Sequence, residues 1–435
     1  MDLGRPRSGP QATVQAGCGE PPASPRLSLQ IRSASAPGPP CIRLRLSRSK
    51  SASDPPYIRS WAVDAFATAK SLLGTWLGDD GCDNQFYIGT PVVLNKLDKF
   101  MDSIRLPIEA RRSTRKITEH AQWKGRKFEN FILYTSVPLL AGTLRPVYLR
   151  HWMCFVQAMH FLLQEEITED HLTKAENLLL QFRDGVERLY PDRHLTYNLH
   201  IVTSHLVENC RRWGPAWCIN GYSGEAGNKI LKGQIHANLG VASQVCRALS
   251  HFRALDILET HTGTPFSTKF KNDIKKNTVH RCIYINEDKY FGMPKVLRAT
   301  REETFLCREV GMDSEDFVEV SKLIHKNCVF TAESEASKLF SNSAALLKNG
   351  EIMLIKKIIV SERLNEGLLI GQKIVTTPFY VLPGIPAEQM ATRTVSYVHV
   401  ESRVVSPSDL KTVCAKFSLP HGDFIVKVPN IYNTT

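Results

Sequence analysis

The spacing of apolar residues divides the chain into three parts. From Trp61 to about residue 265, apolar residues recur at the period of an α-helix, so that each helix would have one hydrophobic face. Beyond residue 265 they form short runs separated by turn residues, which is typical of β-strands. The sequence therefore predicts an α+β protein with a disordered tail (1–56), a mainly α-helical domain (57–265) and a β-rich domain (266–435).

The helical part contains apolar stripes that fit the buried faces of helices better than cofactor sites. Thr168 is the predicted N-cap of one helix, because its hydroxyl oxygen accepts a hydrogen bond from a free backbone N–H group. The stripes are Phe66, Ala69, Leu72, Leu73 and Trp76; Leu94, Leu97, Phe100 and Met101; Tyr148, Trp152, Phe155, Met159 and Leu162; Leu172, Ala175, Leu179, Phe182, Val186 and Leu189; Leu195, Leu199, Val202, Leu206 and Cys210; and Val241, Val245, Leu249 and Phe252.

The clearest strand signal is the Asn349-Gly350 pair between two apolar runs. It predicts a β-hairpin, because this pair readily adopts the tight turn that joins antiparallel strands. Further predicted strands follow at short intervals, so we predict a small β-barrel-like domain. The other predicted strands are Val279–Ile285, Leu368–Thr376, Thr394–Val405, Lys411–Phe417 and Asp423–Val428.

The tail, residues 1–56, is rich in proline, serine, glycine and arginine. This composition buries too little apolar surface to offset the entropy lost on folding, so we expect disorder. The basic run Arg43–Lys50 suits nucleic acid, but a solvated tail is the preferred interpretation because short basic runs are weak signals. The prolines also argue against the amphipathic helix of a mitochondrial presequence.

The overall composition narrows the class of protein. The chain has 435 residues and a formal net charge of +12, which favours nucleic acid or another anionic partner. Its 11 cysteines lack C-x-x-C spacing, so neither a zinc ribbon nor a disulfide framework is predicted, and a reducing compartment is the simpler assignment. The apolar segment Phe131–Leu144 is shorter than the ~20 residues of a membrane span and predicts a buried helix.

Cations concentrate between residues 111 and 127, with Trp123 and Phe128 among or beside them. Aromatic rings stack on bases and cations contact phosphates, so the segment is a candidate nucleic-acid groove. A solvated loop with two anchoring aromatic residues explains the same pattern, and the sequence leaves both interpretations open. The candidate DNA-binding residues are Arg111, Arg112, Arg115, Lys116, Arg126 and Lys127.

Residues 211–217, RRWGPAW, interrupt the helical pattern. The Gly214-Pro215 pair should end a helix there, because proline lacks an amide N–H group and disfavours helical geometry in the preceding residue. A new helical run then carries Glu225. His200 and His205 precede the block. Residues five apart lie about 140° around a regular helix, so the two are not expected to share a metal ion.

This block resembles the C-terminal part of transposases of the CACTA (En/Spm-like) group. The likeness extends upstream through Trp123–Tyr134 and downstream to Phe424–Asn430, so it covers roughly residues 61 to 430. We assign His200, Arg211, Trp213, Gly214, Pro215 and Trp217 to its structural motif. The matching residues of the block are Tyr197, Asn198, His200, His205, Arg211, Arg212, Trp213, Gly214, Pro215, Trp217 and Glu225, and more loosely Asn228, Leu231 and Lys232.

The resemblance implies an RNase H-like core in which several carboxylates hold two divalent metal ions at the scissile phosphate. Glu225 matches the last of these acids, and no residue matches the earlier ones. The expected Met-His landmark is missing near Arg59, and Asp64 lies in a different local context. The chain therefore resembles a transposase without the first part of its catalytic core. In such a chain Glu225 is expected to pair with Lys229 on the same helix face.

The sequence thus predicts a transposon-derived nuclear, or else cytoplasmic, protein that is catalytically incomplete and retains DNA or protein binding. Two alternatives stay open: an active DDE-type transposase component whose missing acids come from elsewhere, and a basic interaction protein with a β-barrel reader module. We expect weak, non-specific DNA binding, no membrane partner and no cofactor, because only an active enzyme would need Mg²⁺ or Mn²⁺. The sequence contains no phosphate-binding loop, nucleophile elbow or dinucleotide fingerprint.

Overall fold

The computed structural model describes residues 26–29, 44–47, 61–78, 84–110, 112, 114–219, 222–262, 282–335 and 340–430. The chain divides into two units, Met1–Tyr57 and Ile58–Thr435. The described residues of the first unit are two short strands that pair antiparallel, β1 (Arg26–Leu29) and β2 (Leu44–Ser47). The rest of the tail that the sequence predicts to be disordered lies outside the described residues.

Helices account for most of the second unit up to residue 262, as the apolar spacing predicts. The segment from Phe131 is helical and buried, and it begins with the π-helical turn Phe131–Thr135. No helix among the described residues is long and apolar enough to cross a membrane. The α-helices are α1 (Trp61–Leu77), α2 (Pro91–Ser103), α3 (Gly125–Asn130), α4 (Ser136–Leu140), α5 (Pro146–Leu162), α6 (Glu169–Leu189), α7 (Tyr197–Ser204), α8 (Leu206–Trp213), α9 (Tyr222–Lys232), α10 (Val241–Thr262) and α11 (Arg301–Glu309).

Two local predictions for the helices have different outcomes. The predicted N-cap is confirmed, because the Thr168 hydroxyl accepts a hydrogen bond from the His171 amide at 3.3 Å. The predicted single helix from Leu195 to Cys210 is wrong, because the backbone at His205 (φ −120°, ψ −21°) separates α7 from α8. A one-residue break leaves the apolar spacing intact, so periodicity could not detect it.

Aromatic side chains fill the centre of the helical part. The Trp76 and Trp152 rings meet edge to face with 5.4 Å between their centroids, and both are fully buried. Trp152 donates its indole hydrogen to Ser136 Oγ at 2.8 Å, and Trp76 donates to the Tyr190 hydroxyl at 3.1 Å. Burial of such a ring stabilises the fold by about 1.5–3 kcal/mol, and the hydrogen bonds remove the penalty for burying its N–H group.

The predicted hairpin is confirmed, with Leu346 opposite Ile352 and Gly350 at a φ of +86°, which glycine adopts without strain. The strands of the second unit are β3 (Cys282–Ile285), β4 (Asp288–Phe291), β5 (Lys295–Val296), β6 (Val318–Val320), β7 (Lys322–His325), β8 (Cys328–Thr331), β9 (Ala344–Leu347), β10 (Ile352–Ser361), β11 (Glu366–Pro378), β12 (Thr392–Val405), β13 (Leu410–Leu419) and β14 (Gly422–Lys427).

These strands form two antiparallel sheets. One contains β3, β4, β7 and β8 in that order. In the other, β10 pairs with both β9 and β11, and the pairing continues from β11 through β12, β14 and β13 back to β9. This set of strands, here called the strand ring, is therefore linked by hydrogen bonds all the way round. Strand β6 pairs with β10 beside it, and β5 pairs with β6.

Hydrogen bonds and a common hydrophobic core join the helices to the strand ring. The Gln157 side chain of α5 donates to the Gln389 carbonyl at 3.1 Å and accepts from the Ala391 amide at 2.9 Å. His421, between β13 and β14, bonds through Nε2 to the Pro138 carbonyl at 2.8 Å. Both parts therefore belong to one compact unit. The predicted domain boundary near residue 265 falls within residues 263–281, outside the described residues.

Candidate nucleic-acid interface

The cationic segment, residues 112–127, is fixed by side chains that bond to its backbone. The Asp98 carboxylate of α2 accepts from the Ile117 amide at 2.7 Å, where a short 3₁₀ helix begins. Asn130 of α3 donates to the Arg112 carbonyl at 3.0 Å. Because the backbone is fixed from both sides, the positions of the charged side chains depend on the fold as well as on the sequence.

The charged ends of this segment meet at the surface. Arg112, Arg115 and Lys116 are exposed, and Lys127 is half-buried. Burial and the nearby Arg115 and Arg112 charges lower the pKa of the Lys127 ammonium group. The structure therefore brings together Arg112, Arg115 and Lys127, and Lys116, the neighbour of Arg115 in the chain, is exposed as well. These four residues are here called the cationic surface. Their mutual repulsion favours the approach of an anion.

The two aromatic residues of the segment belong to the core. Trp123 and Phe128 are buried, and their rings meet with 5.5 Å between centroids. Trp123 donates its indole hydrogen to the Lys116 carbonyl at 3.2 Å. Neither ring is available to stack on a base, so the prediction of an aromatic-lined groove is wrong for these two residues. The alternative, a loop with two anchoring aromatic residues, describes them correctly.

Two further candidate cations differ from the cationic surface. Arg126 donates to the buried Glu129 carboxylate at 3.0 Å, so its charge is compensated within the protein. Arg111 lies outside the described residues. The predicted set therefore includes both cations that lie on one surface and a cation that is paired with an acid.

A buried carboxylate holds the chain just before the cationic segment. Glu109 accepts from the Val329 amide at 2.9 Å and from Asn342 Nδ2 at 2.7 Å. The Asn342 oxygen in turn accepts from the Ile108 amide at 2.9 Å. Burial raises the pKa of the Glu109 carboxyl group, and these hydrogen bonds oppose part of that increase. The network ties the cationic surface to the strands.

The tryptophan block has a structural explanation. Helix α8 ends at Trp213, as predicted, and Gly214 follows with a φ of +90°, a conformation that favours glycine. Pro215 is buried, and Trp217 donates its indole hydrogen to the Gln164 carbonyl at 3.0 Å. The Trp213 indole N–H group has no hydrogen-bond partner among the described residues. The block thus turns the chain and packs it near the end of α5.

Arg211 from the same block contacts acids on two helices. Its guanidinium group lies 2.8 Å from the Glu169 carboxylate of α6 and 2.9 Å from the Glu208 carboxylate of α8. The Glu208 carboxylate also accepts from Arg212 at 2.6 Å, and these two arginines lower the pKa of Glu208. Arg211 is therefore engaged in holding α8 against α6, in keeping with the structural role assigned to it.

His200 and His205 lie closer together than the spacing argument allows. Their Nε2 atoms are 3.2 Å apart, because the break at His205 turns that side chain toward α7. Residues five apart point to different sides only in a regular helix, so the prediction that these two side chains diverge is wrong for this chain. Two imidazole rings leave the remaining coordination positions of a metal ion to other groups. No cluster of three or more histidine, cysteine or acidic residues suited to a metal ion occurs among the described residues.

The predicted catalytic acid and the other acids considered with it lie in different parts of the structure. Glu225 lies in α9, but its side chain is outside the described residues, so its predicted pairing with the exposed Lys229 is outside them too. Asp64 of α1 is fully buried. An open cavity of about 300 Å³ lies between α6 and residues 383–385. Among the described residues that line it, Asp184 is the single carboxylate, which is too few for two-metal chemistry.

Glu109 and Asn342, which hold the chain just before the cationic segment, were not predicted from the sequence. The sequence offered one indication of this role, because Glu109 is an acid placed between two apolar residues that are buried, Leu106 and Ala110. That signal could not identify its partners, because Val329 is 220 positions away and Asn342 is 233 positions away in the chain.

No protein-family model, curated protein or solved structure matches this chain. The likeness to CACTA transposases therefore remains a prediction that depends on the residues of the tryptophan block and the segments around it.

Proposed function

We propose that this protein is a transposase-derived, catalytically inactive DNA-binding protein that contacts the phosphate backbone through its cationic surface. The observation that supports this most directly is the convergence of Arg112, Arg115 and Lys127, whose charges are close enough to lower the pKa of Lys127. Hydrogen bonds from Asn130 and to Asp98 fix the backbone of this segment, so phosphate binding has to order its side chains but not its backbone.

The mode of binding that fits this surface is weak and independent of base sequence. Lysine and arginine contacts to phosphates release counterions and carry no base information. Base stacking is not available to Trp123 and Phe128, because both rings are buried. A nuclear location is part of the same proposal, as is the origin of the helical part from an RNase H-like core. We further propose that the strand ring is a small β-barrel.

The binding test compares the full chain with a variant that combines Arg112→Ala, Arg115→Ala and Lys116→Ala. We expect the affinity for duplex DNA at low salt to fall about tenfold or more. The dependence of log affinity on log salt should become shallower by up to about 2.7, because each lost phosphate contact contributes about 0.9. Fluorescence anisotropy with two unrelated duplexes at several salt concentrations measures both quantities.

A matched control removes the same charge from another part of the surface. Lys322, Lys326 and Lys348 are exposed residues of the strand region, and their combined replacement by alanine also removes three positive charges. If the control weakens DNA binding as much as the first variant does, binding depends on net charge alone and the cationic surface has no special role.

Catalysis is the second part of the proposal, and the expected result is negative. A two-metal site needs several converging carboxylates, and Glu225 is the one acid of this sequence that matches the family block. We expect no strand cleavage or joining when the chain is incubated with transposon-end duplexes and Mn²⁺. Cleavage that is lost in Glu225→Gln would contradict the proposal and favour an active transposase component instead.

A further inference from the structure

A second group of cations lies on the strand ring, far along the chain from the cationic segment. Arg393 of β12 is opposite Ile425 of β14, and Lys427 follows Ile425 by two positions. Side chains alternate between the faces of a sheet, so Arg393 and Lys427 project from the same face. Lys411 of β13 is exposed nearby and contributes to the electrostatic environment of Lys427. These three residues are here called the strand cations.

Arg393 is fixed by neutral oxygen atoms. Its Nε donates to Thr376 Oγ1 at 2.7 Å, and its terminal nitrogens donate to the carbonyls of Thr376 at 3.0 Å and Ala387 at 2.9 Å. A guanidinium group has five N–H donors, and these bonds use three of them. The remaining donors belong to a half-buried, oriented cation, which is a suitable arrangement for binding an oxyanion.

Lys427 is also held without an acid. Its Nζ donates to the Glu388 carbonyl at 2.5 Å. Neither Lys427 nor Arg393 forms an ion pair with a carboxylate among the described residues. Burial, followed by the Arg393 and Lys411 charges, lowers the pKa of Lys427 to about 8, although the Glu388 carboxylate partly opposes this. The repulsion among these cations is therefore only partly offset by the Glu388 carboxylate.

The other titratable groups near Lys427 do not change charge near pH 8. Burial lowers the pKa of His160 on α5 to about 4, with a smaller contribution from Lys427. Burial raises the pKa of Cys414 on β13 to about 12. We therefore expect a change in ligand binding between about pH 7.5 and pH 9.5 to come from Lys427.

We propose that the strand cations form a binding site for a dianionic phosphate group, carried by inorganic phosphate or by a phosphate monoester such as the 5′ end of a nucleic-acid strand. Three cations and one nearby carboxylate, Glu388, leave two positive charges, which match the charge of such a group. The oriented guanidinium donors of Arg393 supply direction, and Lys427 supplies a point charge. The site is independent of the cationic surface because it uses different residues.

The test is calorimetric titration of the full chain with inorganic phosphate at about pH 7.5, with ionic strength held constant by sodium chloride. We expect saturable binding that is about tenfold weaker in Lys427→Met, because one charge-assisted hydrogen bond is lost. Between about pH 7.5 and pH 9.5 the wild-type affinity should fall as Lys427 loses its proton, although inorganic phosphate becomes more fully dianionic over the same range. Lys427→Arg should retain binding and lose this pH dependence.

Lys416→Met is the matched control. Lys416 is opposite Ile425 and therefore projects from the same face of the sheet as Lys427. Because Lys416 is 3.3 Å from the Glu333 carboxylate, its loss should leave phosphate affinity unchanged within about twofold. Absence of saturable phosphate binding, or equal losses in Lys427→Met and Lys416→Met, would overturn the proposal.

A further experiment distinguishes free phosphate from the 5′ end of a nucleic-acid strand. It uses the variant that combines Arg112→Ala, Arg115→Ala and Lys116→Ala, in which the cationic surface contributes less to binding. A short 5′-phosphorylated oligonucleotide is compared there with its unphosphorylated form. Tighter binding of the phosphorylated form identifies a strand end as the ligand. Equal binding of both forms, together with binding of inorganic phosphate, identifies free phosphate as the ligand.

Discussion

The cationic surface and the strand cations place similar charges in different surroundings. Arg112 and Arg115 are exposed, and their position is set through backbone hydrogen bonds such as that from Asn130 to the Arg112 carbonyl. Arg393 is held through its own guanidinium group by Thr376 and Ala387. A surface of the first kind suits many phosphates in a row, whereas a site of the second kind suits one anion in one orientation.

The difference also affects stability. Lys127 and Lys427 both have lowered pKa values, with burial as the largest cause and neighbouring cations next. Lys427 is shifted further, to about 8, so its charge is the more costly to keep in the folded state. The local surroundings of a cation, rather than its charge alone, therefore decide whether it is a general phosphate contact or part of a specific site.

The largest change in the free energy of unfolding is expected when the Glu109 carboxylate, which ties the cationic surface to the strands, is removed. Glu109→Ala leaves the half-buried Val329 amide and one N–H group of the buried Asn342 side chain without their acceptor. We expect the free energy of unfolding to fall by about 2–4 kcal/mol, measured by urea denaturation.

The same variant tests whether anchoring or charge dominates at the cationic surface. Loss of a negative charge alone should raise DNA affinity, whereas loss of the anchor should lower it. The control is Glu335→Ala, which removes a partly exposed acid and should change stability by less than about 0.5 kcal/mol. A similar small change for Glu109→Ala would show that the buried network contributes little.

We expect Lys427→Met to raise the free energy of unfolding, by less than Glu109→Ala lowers it. The pKa of Lys427 is about 8 in the folded protein, below the ordinary value of 10.5, so the folded state binds fewer protons than the unfolded state between these values. Wild-type stability should therefore rise with pH across this window. At pH 7 the cost of the charge is fully present, and the variant should be more stable by about 1 kcal/mol.

The advantage of Lys427→Met should shrink as the pH rises from about 8 to about 10.5 and disappear above this range, where the wild-type side chain is neutral in both states. Thermal unfolding at a series of pH values, beside Lys416→Met, measures this trend. A stability difference that stays constant from about pH 7 to pH 10 would show that the charge of Lys427 is not the cause.

The smallest change in the free energy of unfolding is expected for Arg115→Ala. Arg115 is exposed and lowers the pKa of Lys127, so its removal relieves a repulsion that solvent already screens. We expect a change in the free energy of unfolding of less than about 0.5 kcal/mol, together with weaker DNA binding. Destabilisation as large as that of Glu109→Ala would mean that the side chain has a structural role.

Much of the local structure could be predicted from the sequence because short-range signals specify it. The helical spacing, the Thr168 cap and the Asn349-Gly350 turn each depend on residues close together in the chain. The mixed α and β character followed from the same signals. The break at His205 could not be predicted in this way, since it leaves the apolar spacing unchanged.

The sequence by itself determined the helical character of the chain up to residue 262, the Asn349-Gly350 hairpin and the place where cations concentrate, but neither α11 nor the strands β4 to β8. Only the tertiary structure decided that Trp123 and Phe128 are buried and that Glu109 bonds to Val329. The physical reason is that hydrophobic period and capping act over a few residues, whereas burial, pKa shifts and hydrogen-bond partners depend on segments far apart in the chain. A cluster of cations is visible in a sequence, but its surroundings are a property of the fold.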